Sequence, residues 1–461
     1  MTSDGLLHVA IVGGGAAGTL SALNLAGLPT IGRITLFDRD GRFGRGLAYS
    51  AAERWHRINV PAQKMRGCRD DDPEGFFNWC NANQHTTGPD YSTAFVARRV
   101  YGDYLLSCLT QAATHNNIEL RAASVVAIEH DSAGYRLRLG DGSMVHADIL
   151  LLCPGNPPPS PIPLFGTSPR SISNVWAPSA LQPIGGDDDV LVIGTAATAV
   201  DMVLDLHHRG VGRHVTMLSR RGLLPREDVE YAIANPVPFA FGPSPTVSGL
   251  FAQLRQAIRS NGAAGLPWQA VIDGFRLHTR ALWETLSTVE RDRFSRHLRA
   301  LWLVHRHRLA PDVAQLLMRL QAEGRLSIIA GRTIQAAAKA DGFDVTIKRR
   351  SGGLKQLAPN WVLNCTGPEE RYHRLTDPLV TSLLANRQAR PGPNGIGLDV
   401  NPDCLLRDAQ GRPQPGLYLI GPATRGSFWE VTAATNIRQQ AIAVAAHLQN
   451  SRAEIADTAI L

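Results

Sequence analysis

No two of the six cysteines, at positions 68, 80, 108, 153, 365 and 404, form a C-x-x-C pair. That scatter excludes a redox-active disulfide of the local kind and points to a reduced, cytoplasmic setting. Zinc-type ligand spacing is also absent, so no metal is expected. No apolar run approaches the roughly twenty residues of a membrane-spanning helix. The first strand pattern starts within about eight residues of Met1, which leaves no room for a charged and apolar leader. The net charge of +7 suits anionic partners. With no compact Lys/Arg block and no basic–aromatic interleaving, nucleic acid is not expected, and phosphates or an acidic substrate account for the surplus equally well. At 461 residues the chain can fold two or three domains, each with its own core.

What is present is one pattern twice. His8-Val9-Ala10-Ile11-Val12 runs into Gly13-Gly14-Gly15-Ala16-Ala17-Gly18, and Asp38, with Arg39 beside it, closes the next apolar run. Gly13 makes the tight turn, Gly15 lets the backbone approach a pyrophosphate, and Gly18 lets the helix pack on the strand, while the helix N-terminus offers N–H groups to the anion. The second copy is Val190-Leu191-Val192-Ile193 followed by Gly194-Thr195-Ala196-Ala197-Thr198-Ala199, and its next strand, His214 to Leu218, ends in Ser219-Arg220-Arg221. An acid at that point suits a free ribose diol and an arginine pair suits a 2′-phosphate. Ala196 adds a methyl where the pyrophosphate should come closest. The competing reading of Arg220 and Arg221 is a solvated charge run beside a decayed site.

Between and after the copies the pattern continues in α/β style. The long Gly41–Asp72 loop, with Gly44-Arg45-Gly46 and Asn59-Val60-Pro61-Ala62, reads as a ligand cradle. Helices are expected at Pro73–Asn81 and Ala97–His115. A meander follows at Ser124–His130, Tyr135–Leu139 and Met144–Ala147, with Asp131-Ser132-Ala133-Gly134 as one turn. The buried run Ile149–Cys153 breaks at Pro154-Gly155. An arginine-rich helical stretch occupies about 249–321, strands return at Leu326–Ile329, Phe343–Lys348, Trp361–Cys365 and Leu417–Ile420, and a helix runs from roughly Phe428 to Leu448. The expected architecture is two Rossmann-like dinucleotide-binding domains of the three-layer ββα/βαβ type, the second inserted in the first. The first comprises 1–184 and 371–461, and the second 185–370 with the helical insert.

Other features have plainer readings. Asp70-Asp71-Asp72-Pro73 reads as a helix start with Asp72 as cap. His305, His307 and Arg308 read first as a solvated helix face and second as an acidic-substrate site. Tyr101 and Tyr104 share a helix face and belong to the core. Glu430 is either a charge at a helix N-terminus or part of a site.

Several blocks together resemble bacterial FAD/NAD(P)-binding oxidoreductases related to class B flavin monooxygenases, whose characterised members include aspartate N-monooxygenases. They are Gly13–Gly18, Ile58-Asn59-Val60-Pro61-Ala62 with Met65, Phe76-Phe77-Asn78-Trp79, Arg99-Val100-Tyr101-Gly102-Asp103-Tyr104, Ser219-Arg220-Arg221-Gly222-Leu223-Leu224-Pro225, His305-Arg306-His307-Arg308, and Thr424-Arg425-Gly426 with Phe428–Ala433. The Baeyer–Villiger signature is only echoed, by Phe165-Gly166 and Trp176 without an intervening histidine.

The resemblance implies FAD at Gly13, Gly15, Ala16, Ala17, Gly18, Asp38, Arg39, Gly46, Val126, Gly155, Gly421 and Thr432, with Asn59, Val60 and Met65 close to the flavin. It implies NADPH at Gly194, Thr195, Thr198, Ser219, Arg220 and Arg221. Asn59 and Arg425 are the catalytic candidates, the first holding a C4a-hydroperoxyflavin by a hydrogen bond and the second orienting the substrate. The expected activity is oxygenation of a small nucleophile, such as the amine of an amino acid, with O₂ as co-substrate. The alternatives are an NADPH-linked flavin reductase that makes no productive use of oxygen and a flavin-binding sensor. Oligomeric state is left open, a homodimer among the options.

Overall fold

The computed structural model describes residues 6–50, 53–83, 90–132, 134–231, 239 and 241–458, with side chains to residue 450. Ala133, in the expected meander turn, lies outside the described residues.

Among the described residues sixteen strands make three sheets. They are β1 (Leu7–Val12), β2 (Ile31–Asp38), β3 (Ile118–Ala122), β4 (Val125–Asp131), β5 (Gly134–Leu139), β6 (Met144–Ala147), β7 (Ile149–Leu152), β8 (Ser171–Ile172), β9 (Asp189–Ile193), β10 (His214–Ser219), β11 (Leu326–Ala338), β12 (Phe343–Arg349), β13 (Leu354–Leu357), β14 (Trp361–Asn364), β15 (Leu405–Arg407) and β16 (Pro413–Leu419). The first sheet has the order β15-β16-β7-β1-β2-β3, the second β13-β12-β11-β10-β9-β14-β8, and the meander β4-β5-β6 stands apart. Parallel strands covered on both faces need continuous apolar runs. Leu150 and Leu151 on β7 and Val192 on β9, all fully buried, supply them.

The two parallel sheets repeat one device. Gly13 has φ +111° and a Cβ there would lie 2.1 Å from the Cys153 carbonyl oxygen at the end of β7; Gly194 has φ +134° and a Cβ would lie 2.2 Å from the Cys365 oxygen at the end of β14. Only glycine fits either turn. Each turn feeds a helix, Ala16–Leu25 in the first unit and Ala197–Arg209 in the second.

Several elements differ from the sequence reading. β8 hydrogen-bonds to β14, and Val175, Leu181 and Ile184 are buried in the second core. Residues 171–184, expected in the first unit, thus pack with the second sheet. β3, β13 and β15 were not anticipated. The acidic run does not cap a helix: the helix Gly75–Ala82 starts after Glu74 without a side-chain cap. The C-terminal helix is broken in two, Arg425–Phe428 and Ala434–Thr458, because Trp429 takes φ 58° and ψ −65°. Tyr101 and Tyr104 are buried, as core residues should be.

The insert is helical throughout, from Val247–Ala263 to Pro311–Ala322, and includes a π-helical turn at Phe294–Leu298. Among the described residues no helix is long and apolar enough to cross a membrane.

Candidate functional site

A cavity of about 1110 Å³ opens where the two units and the insert meet. The first unit contributes Asn59, Val60 and Met65 to its wall, and the C-terminal segment Glu430 to Ala434 faces them. Ala197 and Thr198, the first turn of the second glycine-motif helix, supply another side, and Asp273, Arg276, Arg306, His307 and Arg308 close the end formed by the insert. No cysteine lines it.

The first glycine turn lies behind this cavity. A Cβ on Gly15 would sit 3.1 Å from the Gly46 Cα, and one on Gly18 only 1.9 Å from the Gly13 oxygen. Ala16 and Ala17 open the helix, whose first N–H groups have no intrahelical acceptor. Asp38 is largely committed to the protein: its Oδ2 accepts from Gly14 N at 3.2 Å and its Oδ1 from Asp40 N and Arg42 N at 3.0 Å each. The neighbouring Arg39 reaches only Asp40, at 3.8 Å. Gly421, with φ +90°, packs 3.4 Å from Ala17, and its N–H donates to Gln440 Oε1 at 2.9 Å. The C-terminal turn thus closes on the first glycine helix. Val126 on β4 and Gly155, whose carbonyl accepts from the Tyr372 hydroxyl at 3.3 Å, do not reach the cavity wall.

In the second turn Thr195 is spent structurally. Its hydroxyl is 2.9 Å from Ser219 Oγ and donates to the Leu223 carbonyl at 2.7 Å. Ala196 and Ala197 are exposed at the helix N-terminus. The arginine pair divides its labour. Arg221 donates to the carbonyls of Arg296 and His297 in the π-helical turn, the latter at 2.8 Å, so it anchors the insert. Arg220 is exposed at the end of β10.

Two expectations are corrected here. Arg425 does not line the cavity. Its Nη1 bonds Glu370 Oε1 at 2.7 Å and its guanidinium stacks 4.5 Å from the Trp429 ring, so it braces the helix break at Trp429. The His305-Arg306-His307-Arg308 run is not a solvated helix face. The helix ends at Arg306, and His307 at φ −101°, ψ 80° turns the chain extended. Side chains two apart then point the same way, and Arg306 and Arg308 are each only 4% exposed.

Burial sets the charge states of this wall. Burial and then the Arg306 charge lower the His307 pKa to about 3, which keeps the imidazole neutral. Arg306 is itself lowered to about 10 by burial, with Arg276 adding repulsion. Burial pushes the Glu430 carboxyl up, but the Arg306 charge, the other neighbouring charges and the Trp302 hydrogen bond together outweigh it and hold the group below the usual range. The sequence reading left Glu430 between cap and site; it is 9% exposed and lines the cavity. Asp273, Arg276 and Lys64 were not anticipated. No motif marks them, since two separate helices, Ala62–Met65 and Trp268–Arg276, bring them together.

Residues 10–157 match the family described as FAD-NAD(P)-binding. No curated protein matches the chain in sequence. Among solved structures it is similar to an ornithine hydroxylase of Pseudomonas aeruginosa, with 17% identity, a TM-score of 0.64, and 96% of this chain and 99% of that one covered. It is similar to an L-lysine 6-monooxygenase of Pseudomonas syringae, with 17% identity, a TM-score of 0.66, and 96% and 99% covered. A bacillithiol disulfide reductase of Staphylococcus aureus also matches, with 12% identity, a TM-score of 0.57, and 96% and 98% covered. Residues 10–157 therefore match the FAD-NAD(P)-binding family model, and the whole chain has the fold seen in these hydroxylase and reductase structures.

Proposed function

We propose that the protein is an NADPH-dependent FAD monooxygenase that oxygenates a small nucleophilic substrate, by preference the amine of an amino acid. One observation carries this reading. A single cavity is lined both by Asn59, Val60 and Met65 of the first unit and by Ala197 and Thr198 at the second glycine-motif helix, and it leaves room for a small molecule at the insert. The reaction class follows from what the wall lacks: without a lining cysteine, a disulfide relay of the reductase type has no thiol to use. The N-hydroxylases of similar fold support the choice of amine.

The residues fit the two cofactors. The Gly13–Gly18 turn, where added Cβ atoms would collide with backbone, suits the FAD pyrophosphate, with Gly46 beside it. The N-terminus of Ala197–Arg209 suits the NADPH pyrophosphate, and exposed Arg220 suits the 2′-phosphate. In this reading the unit of residues 1–170 and 371–461 carries FAD and the inserted unit carries NADPH. A cytoplasmic location belongs to it too, supported by six cysteines that are all free.

A flavin held beside the Gly13–Gly18 turn would supply hydride acceptance from NADPH and electron delivery to O₂. The chain's own tasks are to hold, orient and exclude water. Ile58, Val60, Met65, Phe428 and Val431 supply the apolar part of the wall. The Asn59 side chain lines the cavity without a protein partner among the described residues, so its Nδ2 can donate a hydrogen bond at the reacting centre.

NADPH consumption and O₂ uptake, measured with product analysis across amino acids and small amines, test the function. Stoichiometric hydroxylated product is expected, and peroxide release with every substrate would overturn the reading in favour of a reductase. Arg220→Ala should raise the KM for NADPH about tenfold or more while leaving that for NADH within about twofold, as loss of one charge-assisted phosphate contact predicts.

A further inference from the structure

Arg306 turns one edge of its guanidinium to the protein and the other to the cavity. Its Nε donates to Glu430 Oε2 at 3.0 Å, and Trp302 Nε1 donates to Glu430 Oε1 at 2.8 Å. The ion pair is sealed, its side chains 3% and 8% exposed. Among the described residues Nε is the one nitrogen of Arg306 with an acceptor. Nη1 and Nη2 have none, although the residue lines the cavity. A guanidinium held from the side in this way offers a planar, two-pronged donor end-on, the geometry that matches a carboxylate.

The neighbouring charges leave that end free. Asp273 Oδ2 accepts from Arg308 at 2.9 Å, and Asp228 Oδ1 lies 2.7 Å from Arg308 Nε as an ion pair. Arg276 has only a 3.4 Å contact with Asp273. Lys64 Nζ sits 4.4 Å over the Tyr231 ring instead of beside a carboxylate. At this end four cations (Lys64, Arg276, Arg306, Arg308) therefore meet three carboxylates (Asp228, Asp273, Glu430), leaving one positive charge uncompensated. An amine must be unprotonated to act as a nucleophile. A monoamino monocarboxylic acid in that state carries a single negative charge and neutralises this wall, and a diamino acid, though net neutral, still presents a carboxylate to it. A plain diamine keeps a positive charge on its second nitrogen and is repelled.

We propose that Arg306, fixed by Glu430 and Trp302, is the specificity-determining residue of the cavity and takes the carboxylate of a carboxylate-bearing amine. The assignment of an amine rests on the oxygenase reading above; the carboxylate contact does not. Glu430 is a positioning residue: it aims the guanidinium and does not itself meet the ligand.

The test measures affinity by calorimetry on the FAD-loaded enzyme without NADPH, using pairs that differ by one carboxylate: L-lysine and cadaverine, L-leucine and isopentylamine, L-aspartate and β-alanine. For at least one pair the extra carboxylate should strengthen binding about 30-fold or more, the range for a desolvated charge pair. Arg306→Met and Arg306→Lys should shrink that ratio to about threefold or less. Glu430→Gln should lower it partially, because the amide keeps the shape but loosens the grip on Nε. FAD absorbance and melting temperature establish folding; if Arg306→Met fails to fold, Arg306→Lys and Glu430→Gln carry the comparison.

Equal affinity within every pair, no binding by any carboxylate-bearing member, or an unchanged ratio in the folded variants would overturn the proposal. So would a loss of NADPH affinity as large as the loss for the amino acid, since that gives Arg306 to the nucleotide. A persisting ratio with no hydroxylated product from any compound would sink the oxygenase reading and leave the Arg306 assignment standing.

Discussion

His307 lies between two buried arginines, and its ionisation has a definite sign. Its pKa is about 3 in the fold against 6.5 for a free side chain. Above pH 6.5 both folded and unfolded chains hold it neutral. As pH falls below 6.5 the unfolded chain takes up a proton that the folded one refuses, so stability declines toward pH 3 by at most about 1.4 kcal/mol per pH unit. His307→Gln should flatten the denaturant midpoint between pH 7 and 5; an unchanged slope would place the acid sensitivity elsewhere. At this scale the glycine turns were fully legible in the sequence, because backbone geometry alone requires Gly13 and Gly194. Arg306 was not. It looked like one residue of a helix face, and its burial depends on the helix stopping at that residue.

Among the elements, the broken C-terminal helix is the most consequential. Trp429 adopts φ 58° and ψ −65°, and Glu430 N donates to the Phe428 carbonyl at 2.7 Å. This is a γ-turn of the rare hand, strained by about 1–3 kcal/mol. Packing maintains it. The Trp429 ring stacks 4.9 Å from Trp283 and meets Phe294 edge-on at 4.9 Å, with Arg425 at 4.5 Å and Arg299 at 5.3 Å. The turn directs Glu430 toward Arg306 and Trp302. Trp429→Ala should cost about 3 kcal/mol of stability through the lost ring volume, whereas Trp429→Phe should keep the turn and cost about half as much or less. Urea unfolding monitored by flavin fluorescence measures both, and equal losses would show that the stack does not hold the turn. Sequence periodicity ran one helix through this segment, since Trp at a left-handed position leaves no local signal.

At the scale of the molecule, the helix that follows the second glycine turn also fastens the two units together. Asp205 Oδ1 accepts from Trp55 Nε1 at 2.6 Å and lies 3.1 Å from His56 Nε2. One turn earlier Asp201 Oδ1 accepts from Arg98 at 2.7 Å. Both aspartates are buried, 3% and 5% exposed. Asp205→Ala leaves the half-buried Trp55 Nε1 without its acceptor and removes the carboxylate beside His56, and should destabilise by about 1–3 kcal/mol. It should also slow flavin reduction by NADPH about tenfold or more at saturating NADPH, because the two units lose their fixed register. Stopped-flow at saturating NADPH reads the second effect; a normal rate in a destabilised variant would confine Asp205 to stability.

The sequence by itself determined the two glycine turns, the parallel strands that feed them, the helical nature of the insert and the separate meander. Each rests on local backbone geometry or on a periodic apolar pattern, which a linear reading can detect. Only the tertiary structure decided how the charged residues are spent. It set Asp38 to hold its own loop, Arg221 to anchor the insert, Arg425 to brace a strained turn, and Arg306 to face the cavity. Those assignments depend on which distant carbonyl or carboxylate each group meets once desolvated. No local pattern encodes that meeting, because the partners lie up to 124 residues apart and are selected by packing.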